Sequence, residues 1–262
     1  MGLTPMQLGS YRIVISGLFI FVAGYKSIKN LSKYQWKWLA ISGVLGTFFP
    51  SFLFAYAETE VDSAIASILN ALVPLNTIIL GYLIFKIKSN RFQVLGVLIG
   101  FFGGLLLILE GAELNPNQNY WFSGLVVLAT LMYAANVNII KKHLQEVRPI
   151  AIATANFTVI FIPALIVLFS SGGFNTETVQ GDRFLLSLGC VAVLSLFGTA
   201  MAKVLFNNLI QISTPVFASS VTYLMPVVAL FWGLLDGEVF DLFQAVAALM
   251  ILLGIYLSNR KS

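Results

Sequence analysis

Residues 63–83 read SAIASILNALVPLNTIILGYL, and residues 215–238 read PVFASSVTYLMPVVALFWGLLDGE. Both are long apolar runs that carry the same small residues and a proline in the same order. The match extends to further pairs 152 positions apart, which are Gly46 and Gly198, Thr47 and Thr199, Leu53 and Leu205, Phe54 and Phe206, Ala66 and Ala218, Ser67 and Ser219, Leu72 and Leu224, Pro74 and Pro226, and Gly81 and Gly233. An internal repeat of this length in an apolar chain is typical of transporters.

The composition predicts an all-α polytopic membrane protein. Hydrophobic residues make up 58% of the 262 residues and charged residues 10%, whereas soluble domains carry about 25% charged residues. A membrane-spanning helix needs about 20 apolar residues, and lipid leaves backbone groups no partner outside a helix or a closed barrel. We therefore predict nine transmembrane helices, at 6–25, 36–57, 63–85, 92–109, 120–140, 149–170, 184–209, 215–235 and 239–258.

The charges predict how these helices are oriented. Twelve of the fifteen Lys and Arg residues fall in one alternating set of loops and the C-terminus, while ten of the eleven acidic residues fall in or beside the other set. Basic loops stay in the cytoplasm, so we expect a cytoplasmic C-terminus in a bacterial inner (plasma) membrane. The net charge of +4 does not indicate nucleic-acid binding, because the basic residues lie in short loops between apolar runs.

The repeat divides the chain into two expected domains. The first, residues 1–110, holds four helices, and the second, residues 119–259, holds five. The first repeat is thus one leading helix shorter than the second. We expect a longer reading frame that encodes one more span before Met1. The alternative explanation is that this protein has lost its first span.

Taken together, these segments resemble the EamA-type members of the drug/metabolite transporter superfamily. Besides the two runs quoted above, the resemblance rests on the Gly46 and Gly198 segments, on Arg12 in GSYRIVISGLFI and on QVLGVLIGFFGGLLLI at 93–108. The resemblance implies ten helices in two inverted five-helix repeats, and movement of small metabolites or drugs, often export of amino acids. One departure is Lys86, which stands where the family's first repeat often has a glutamate; Glu238 keeps that residue in the second repeat.

Several polar or kink-forming residues inside the spans are candidates for the substrate path. Lys203 is the strongest of these candidates, because an ionisable residue about 9 Å inside a span is rare and usually functional. The structural alternative is that its long side chain snorkels to the membrane surface. Pro74 and Pro226 each free a backbone carbonyl at equivalent repeat positions, as substrate-cavity kinks or as inherited structural ones. The complete set is Lys203, Asn207, Asn70, Pro74, Tyr223, Pro226, Tyr56, Tyr133, Asn136 and Arg12.

Other signals limit the possible functions. Because Cys190 is the only cysteine, no internal disulfide or cysteine-based metal site is possible, and His143, beside Lys141 and Lys142, is expected to be a solvated loop residue. Glycines 96, 100 and 104 are expected to allow close helix packing. The sequence predicts no catalytic residue, metal or cofactor, so an enzyme is disfavoured.

The leading interpretation is a secondary transporter of small polar metabolites. The spans contain no acidic residue at their centres and the chain has no Walker A motif, so neither an intramembrane carboxylate relay nor ATP-driven pumping is indicated. The expected partners are a small-molecule substrate and the lipid bilayer, with a homo-oligomer left open. The alternative is a receptor or assembly partner that keeps a degenerate transporter fold and does not transport.

Overall fold

The computed structural model describes residues 3–61, 63–111, 120–175, 179, 184–225, 227–228 and 242–260. Within these ranges every regular element is a helix and no strand occurs, which confirms the all-α prediction. The α-helices are α1 (Pro5–Gly24), α2 (Lys33–Gly43), α3 (Phe49–Ala57), α4 (Ser63–Asn70), α5 (Val73–Leu80), α6 (Arg91–Gly111), α7 (Ser123–His143), α8 (Pro149–Ser170), α9 (Phe184–Val193), α10 (Ala202–Ile212), α11 (Pro215–Ser220) and α12 (Leu242–Asn259).

Five helical segments among the described residues are long and apolar enough to cross a membrane. They are Pro5–Ile28, Lys33–Ala57, Ser123–His143, Pro149–Ser170 and Phe184–Ile212. Shorter apolar helices cover Val73–Phe85, Arg91–Leu106 and Ala245–Asn259. Each lies within or across a segment that the sequence predicts to be apolar, so the spans were predicted largely where they occur.

Polar caps begin the first two spans. Thr4 accepts a hydrogen bond from the backbone of Gln7, whose side chain accepts one from the backbone of Thr4, and Pro5 occupies the first turn. Ser32 and Gln35 form the same capping box before α2. These residues satisfy N–H groups that have no partner inside a helix, which is especially important at the boundary of an apolar span.

Three spans contain wide π-helical turns, and each of these turns includes a glycine of the repeat. Val44–Phe48 contains Gly46, Gly81–Phe85 contains Gly81, and Leu194–Met201 contains Gly198. The first joins α2 to α3 and the last joins α9 to α10, so each pair of helices forms one continuous span. A π turn changes which carbonyls the helix itself satisfies, and such turns are frequent at functional sites.

The predicted helix at 63–85 is interrupted, which corrects the expectation of one kinked helix with Pro74 near its middle. α4 ends at Asn70, and α5 begins at Val73 with Pro74 in its first turn. Proline is tolerated there because first-turn N–H groups have no partner within the helix. The equivalent Pro226 lies outside the described residues, as do Gly233 and Glu238.

The chain forms two compact units that differ from the two sequence repeats. Unit 1 comprises Met1–Tyr56 and Ile139–Ile212, and unit 2 comprises Ala57–Asn138 and Ser213–Ser262. Each unit therefore contains residues from both repeats. The proposed division into domains 1–110 and 119–259 remains a description of the sequence.

Unit 1 has its apolar core where α1 packs along α8. Ile13 and Ile20 of α1 meet Phe157 and Ile160 of α8, together with Phe52 of α3. The π turn Leu194–Met201 also packs on α1. Ile13 of this core directly follows Arg12 in α1.

Unit 2 is built on an extensive contact between α6 and α12. A Cβ atom on Gly254 would lie 2.5 Å from the Gly100 nitrogen, and one on Gly96 would lie 2.5 Å from the Gly254 oxygen. A Cβ atom on Gly103 would lie 3.0 Å from the Ala247 oxygen. Close packing by Gly96 and Gly100 is thus confirmed. Gly103 continues this seam instead of Gly104, where a Cβ would reach Tyr223 alone among the described side chains, at 4.0 Å.

Candidate functional site

Lys203 lies in the first turn of α10 and reaches a neighbouring span in unit 1. Its Nζ donates a hydrogen bond of 2.9 Å to the carbonyl oxygen of Gly46. In an α-helix that oxygen would accept from the N–H of residue 50, but residue 50 is a proline and has no N–H. The ammonium group of Lys203 therefore donates to a carbonyl of the π turn that Pro50, lacking an N–H, cannot bond.

Arg12 approaches the same span from α1. Its Nη2 donates to Ser51 Oγ at 3.3 Å, and its own carbonyl accepts from Ser195 Oγ at 3.3 Å. Ser16 Oγ in turn donates to the Ser195 carbonyl at 3.0 Å. These serine contacts fix α1 against the π turn Leu194–Met201 and hold the backbone from which Arg12 extends.

Arg12 and Lys203 both contact one turn of the span Lys33–Ala57. In a helix the carbonyl oxygen of one residue lies beside the amide of the residue four or five positions later, so the Gly46 oxygen lies at the level of Ser51. No acidic side chain pairs with Arg12 or Lys203 within the part of the chain that the structure describes. This turn of unit 1 therefore carries two positive charges that the described protein groups do not neutralise.

Asn207 and Gln211 continue the polar face that begins at Lys203, at intervals of four residues. Asn207 is fully buried and donates to the Pro149 carbonyl at 3.4 Å. Its Oδ1 has no hydrogen-bond partner among the described residues. Gln211 donates to the carbonyls of Leu144 and Val147 at 3.0 and 2.6 Å.

The residues Pro50 and Gln211 were missed in the sequence analysis, although a signal for each exists. A proline four residues after a glycine leaves that glycine's carbonyl without its helical donor. A third polar residue at the spacing of Lys203 and Asn207 indicates a polar stripe.

In unit 2, Tyr223 is buried in the core. Its ring covers Gly100, where an added Cβ would lie 2.7 Å from Cδ2, and its hydroxyl donates to the Val97 carbonyl at 3.2 Å. Asn70 ends α4, and its buried Oδ1 has no partner among the described residues. Pro74 is buried in the first turn of α5. Asn70 thus offers a free acceptor at the helix interruption, whereas Tyr223 is engaged in packing.

The remaining candidates occupy different environments. Asn136 in α7 is buried, Tyr133 in the same helix is half-buried, and Tyr56 near the end of α3 is 48% exposed. Asn138, which was not among the candidates, donates to the Thr77 carbonyl of α5 at 3.1 Å. A Cβ on Gly81 would lie only 3.0 Å from the Oδ1 of Asn138. The glycine at this repeated position therefore leaves room for the Asn138 side chain.

Comparison with known proteins identifies the family. The model of the EamA-like transporter family matches residues 2–109 and 121–260. The chain belongs to the EamA-like transporter family. Protein PecM of Dickeya dadantii is 28% identical over 239 residues, which cover 88% of this chain and 74% of PecM. The uncharacterized inner membrane transporter YedA of Escherichia coli strain K12 is 25% identical over 261 residues, covering 97% and 81% of the two chains.

Two further comparisons agree with this assignment of the EamA-like chain. An uncharacterized transporter of Archaeoglobus fulgidus is 27% identical over 263 residues, covering 99% of this chain and 90% of that protein. One solved crystal structure has the same fold, with a TM-score of 0.75 at 16% identity over 99% of this chain and 90% of the other. The protein is thus an integral membrane protein of a transporter family rather than an enzyme, with a small molecule as its substrate.

The EamA-like chain shows no cluster of three or more His, Cys, Asp or Glu side chains suited to a metal within its described residues. The expectation that His143 lies in a loop was wrong, although its side chain is partly exposed as expected. His143 ends α7 and stacks on Trp38 with ring centroids 3.7 Å apart, and Tyr34 Oη lies 2.6 Å from its Nδ1. These contacts join the end of α7 to the start of α2 within unit 1.

Proposed function

We propose that this EamA-like protein is a secondary transporter that exports amino acids or related small polar metabolites. It works by alternating access between its two sequence repeats. The observation that carries the proposal is the turn at Gly46 to Ser51, which Arg12 and Lys203 both contact without an acidic partner among the described residues. Positive charges inside a span are costly unless a functional partner uses them.

Alternating access is supported by the chemistry of repeat transporters in general. Such carriers bind substrates where spans are interrupted or locally unwound, because free backbone groups and helix ends are available there. The interruption between Asn70 and Val73 and the three π turns are features of this kind. We therefore keep Asn70, Pro74 and Asn207 as residues of the proposed substrate path, together with Lys203 and Arg12.

The proposed location is the inner membrane with the C-terminus in the cytoplasm. The distribution of Lys and Arg among the loops supports this orientation. Export then means that the substrate enters from the side that carries Lys86, Lys141 and Lys142. A homo-oligomer is compatible with this proposal but is not required by it.

The test is transport by two Lys203 variants that separate charge from hydrogen bonding. Lys203→Gln removes the charge and keeps an N–H donor for the Gly46 carbonyl, whereas Lys203→Met removes both. Efflux of labelled amino acids should fall in both variants while membrane abundance of the Gln variant stays normal. Lys29→Gln, at an exposed position before α2, is the matched control and should transport as the wild type does.

Two results would contradict the proposal in different ways. Normal efflux kinetics in both Lys203 variants would remove Lys203 from the substrate path. A wild-type protein that reaches the membrane but moves none of the amino acids tested, in cells or in vesicles, would instead favour the receptor or assembly role.

A further inference from the structure

Thr47 differs from three other threonines of the described spans in the use of its hydroxyl. It follows Gly46 in the first π turn and is 5% exposed, yet its Oγ1 has no hydrogen-bond partner among the described residues. Thr77, Thr154 and Thr158 each donate to the carbonyl four residues earlier at 2.8 Å. A buried hydroxyl without a partner is costly, so Thr47 needs a reason that helix packing does not give.

The position of Thr47 relates it to both cations. Thr47 and Ser51 are four residues apart and share a face of the span, and Ser51 is the residue that Arg12 contacts. Thr47 also directly follows Gly46, whose carbonyl binds Lys203. All of these groups belong to unit 1. The unused hydroxyl therefore lies on the turn that Arg12 and Lys203 both contact.

We propose that Arg12, Thr47 and Lys203 form a binding site for the carboxylate group of the transported metabolite. This inference rests on the proposed transport function and names the chemical class of its substrate. The carboxylate binds between the guanidinium and ammonium groups, and the Thr47 hydroxyl donates to one of its oxygens. Ser51 is a positioning residue, because its Oγ already accepts from Arg12.

The donors of this turn suit a carboxylate and not a neutral amide. A carboxylate only accepts hydrogen bonds and presents two oxygens. Lys203 has three N–H donors and Arg12 has five, and the described hydrogen bonds use one of them on each residue, to the Gly46 carbonyl and to Ser51 Oγ. A carboxamide would bring two N–H donors of its own towards two cations and would leave both charges without a counter-ion.

The experiment measures binding without transport. The purified protein in detergent is titrated with L-leucine, L-threonine and L-phenylalanine, and in parallel with their carboxamides, while thermal unfolding is followed. A ligand that binds only the folded state raises the unfolding temperature, and the rise increases with the logarithm of its concentration once that exceeds the Kd. We expect at least one acid to raise it and its amide to have no effect at the same concentration.

Thr47→Val tests the hydroxyl with little change of shape. A hydrogen bond to a charged group typically contributes at least a factor of about ten to affinity. Loss of the Thr47 hydroxyl should therefore weaken the apparent affinity for the acid about tenfold or more. Thr158→Val is the matched control, because Thr158 is an exposed threonine of unit 1 whose hydroxyl bonds to its own helix. The control should bind as the wild type does.

Three outcomes would overturn the carboxylate site. They are equal stabilisation by acid and amide, no stabilisation by any acid, and unchanged acid affinity in Thr47→Val. If efflux of amino acids is nevertheless present in cells and fails in Lys203→Gln, the transport function stands without this site. If acids bind as expected but the wild type moves none of them, the transport function fails while the site remains.

Discussion

Gly254→Ala should destabilise unit 2 more than any ordinary surface change, because two helix backbones meet at this position. An added Cβ would lie 2.5 Å from the Gly100 nitrogen, 2.6 Å from the Gly96 oxygen and 2.7 Å from the Gly100 Cα. All three are backbone atoms, so no side chain can rotate away. To restore ordinary contact at about 3.5 Å, α6 and α12 must separate by about 1 Å.

This separation affects the whole seam. Overpacking of a well-packed contact costs about 1–3 kcal/mol, and transmembrane helices depend on close approach at small residues because no hydrophobic force from water holds them together. At this chain length 1 kcal/mol corresponds to about 2–4 °C in unfolding temperature. We therefore expect Gly254→Ala to lower the unfolding temperature by about 5 °C, and Gly96→Ala to have a similar effect.

The assay is thermal unfolding of the purified protein in one detergent at one heating rate, since unfolding of membrane proteins is often irreversible. Gly189→Ala in α9 is the matched control, because a Cβ there meets no atom of the described residues within 4 Å. Alanine has the higher helix propensity, so the control should unfold at the same temperature or slightly higher. Equal unfolding temperatures for Gly254→Ala and Gly189→Ala would refute the assignment of Gly254 to a backbone contact.

Two further predictions concern the α5–α7 contact and the orientation of the chain. Asn138→Ala removes the side-chain donor to the Thr77 carbonyl, which keeps the Gly81 N–H as its other donor, so the variant should lose about 0.5–1.5 kcal/mol for one hydrogen bond, measured in the same unfolding assay; an unchanged unfolding temperature would show that this contact is dispensable. In a Cys190→Ser background, Asn115→Cys, which is outside the described residues, should react with an impermeant thiol reagent added to intact cells, whereas Gln145→Cys should react only after the membrane is opened. Labelling in the opposite order would reverse the proposed orientation.

The spans could be predicted from the sequence because their signal is local and strong. A run of about 20 apolar residues has no other stable place than a membrane, and the described helices follow the predicted segments closely, as with 149–170 and α8. The family could also be recognised, because it depends on the order of many small residues along the whole chain. Neither inference requires knowledge of which helices are in contact.

Features that depend on contacts between distant segments could not be read from the sequence in the same way. The interruption before Pro74 is an example, because a proline is compatible both with a kink inside a helix and with the first turn of a new one. His143 is another, since its polarity and flanking lysines indicated a solvated loop, whereas Trp38, more than a hundred residues away, provides a stacking surface for it. In both cases the residue type allows two environments and the tertiary contact selects one.

The glycine pairs illustrate how the repeat and the contacts explain each other. Gly103 and Gly254 are equivalent in this part of the sequence repeat, where matched residues lie 151 rather than 152 positions apart, and each lacks room for a Cβ against the other's helix. Gly254 meets Gly96 and Gly100, and Gly103 meets the repeat equivalents of these residues, Ala247 and Ile251. Such reciprocal contacts are expected wherever two equivalent helices pack about a two-fold axis.

Arg12 and Lys203 have no such reciprocity, because Ser51 stands at the repeat equivalent of Lys203 and accepts from Arg12. The packing seam of unit 2 thus preserves the symmetry of the duplication, whereas the charged turn of unit 1 departs from it, as expected if the charges serve an asymmetric substrate.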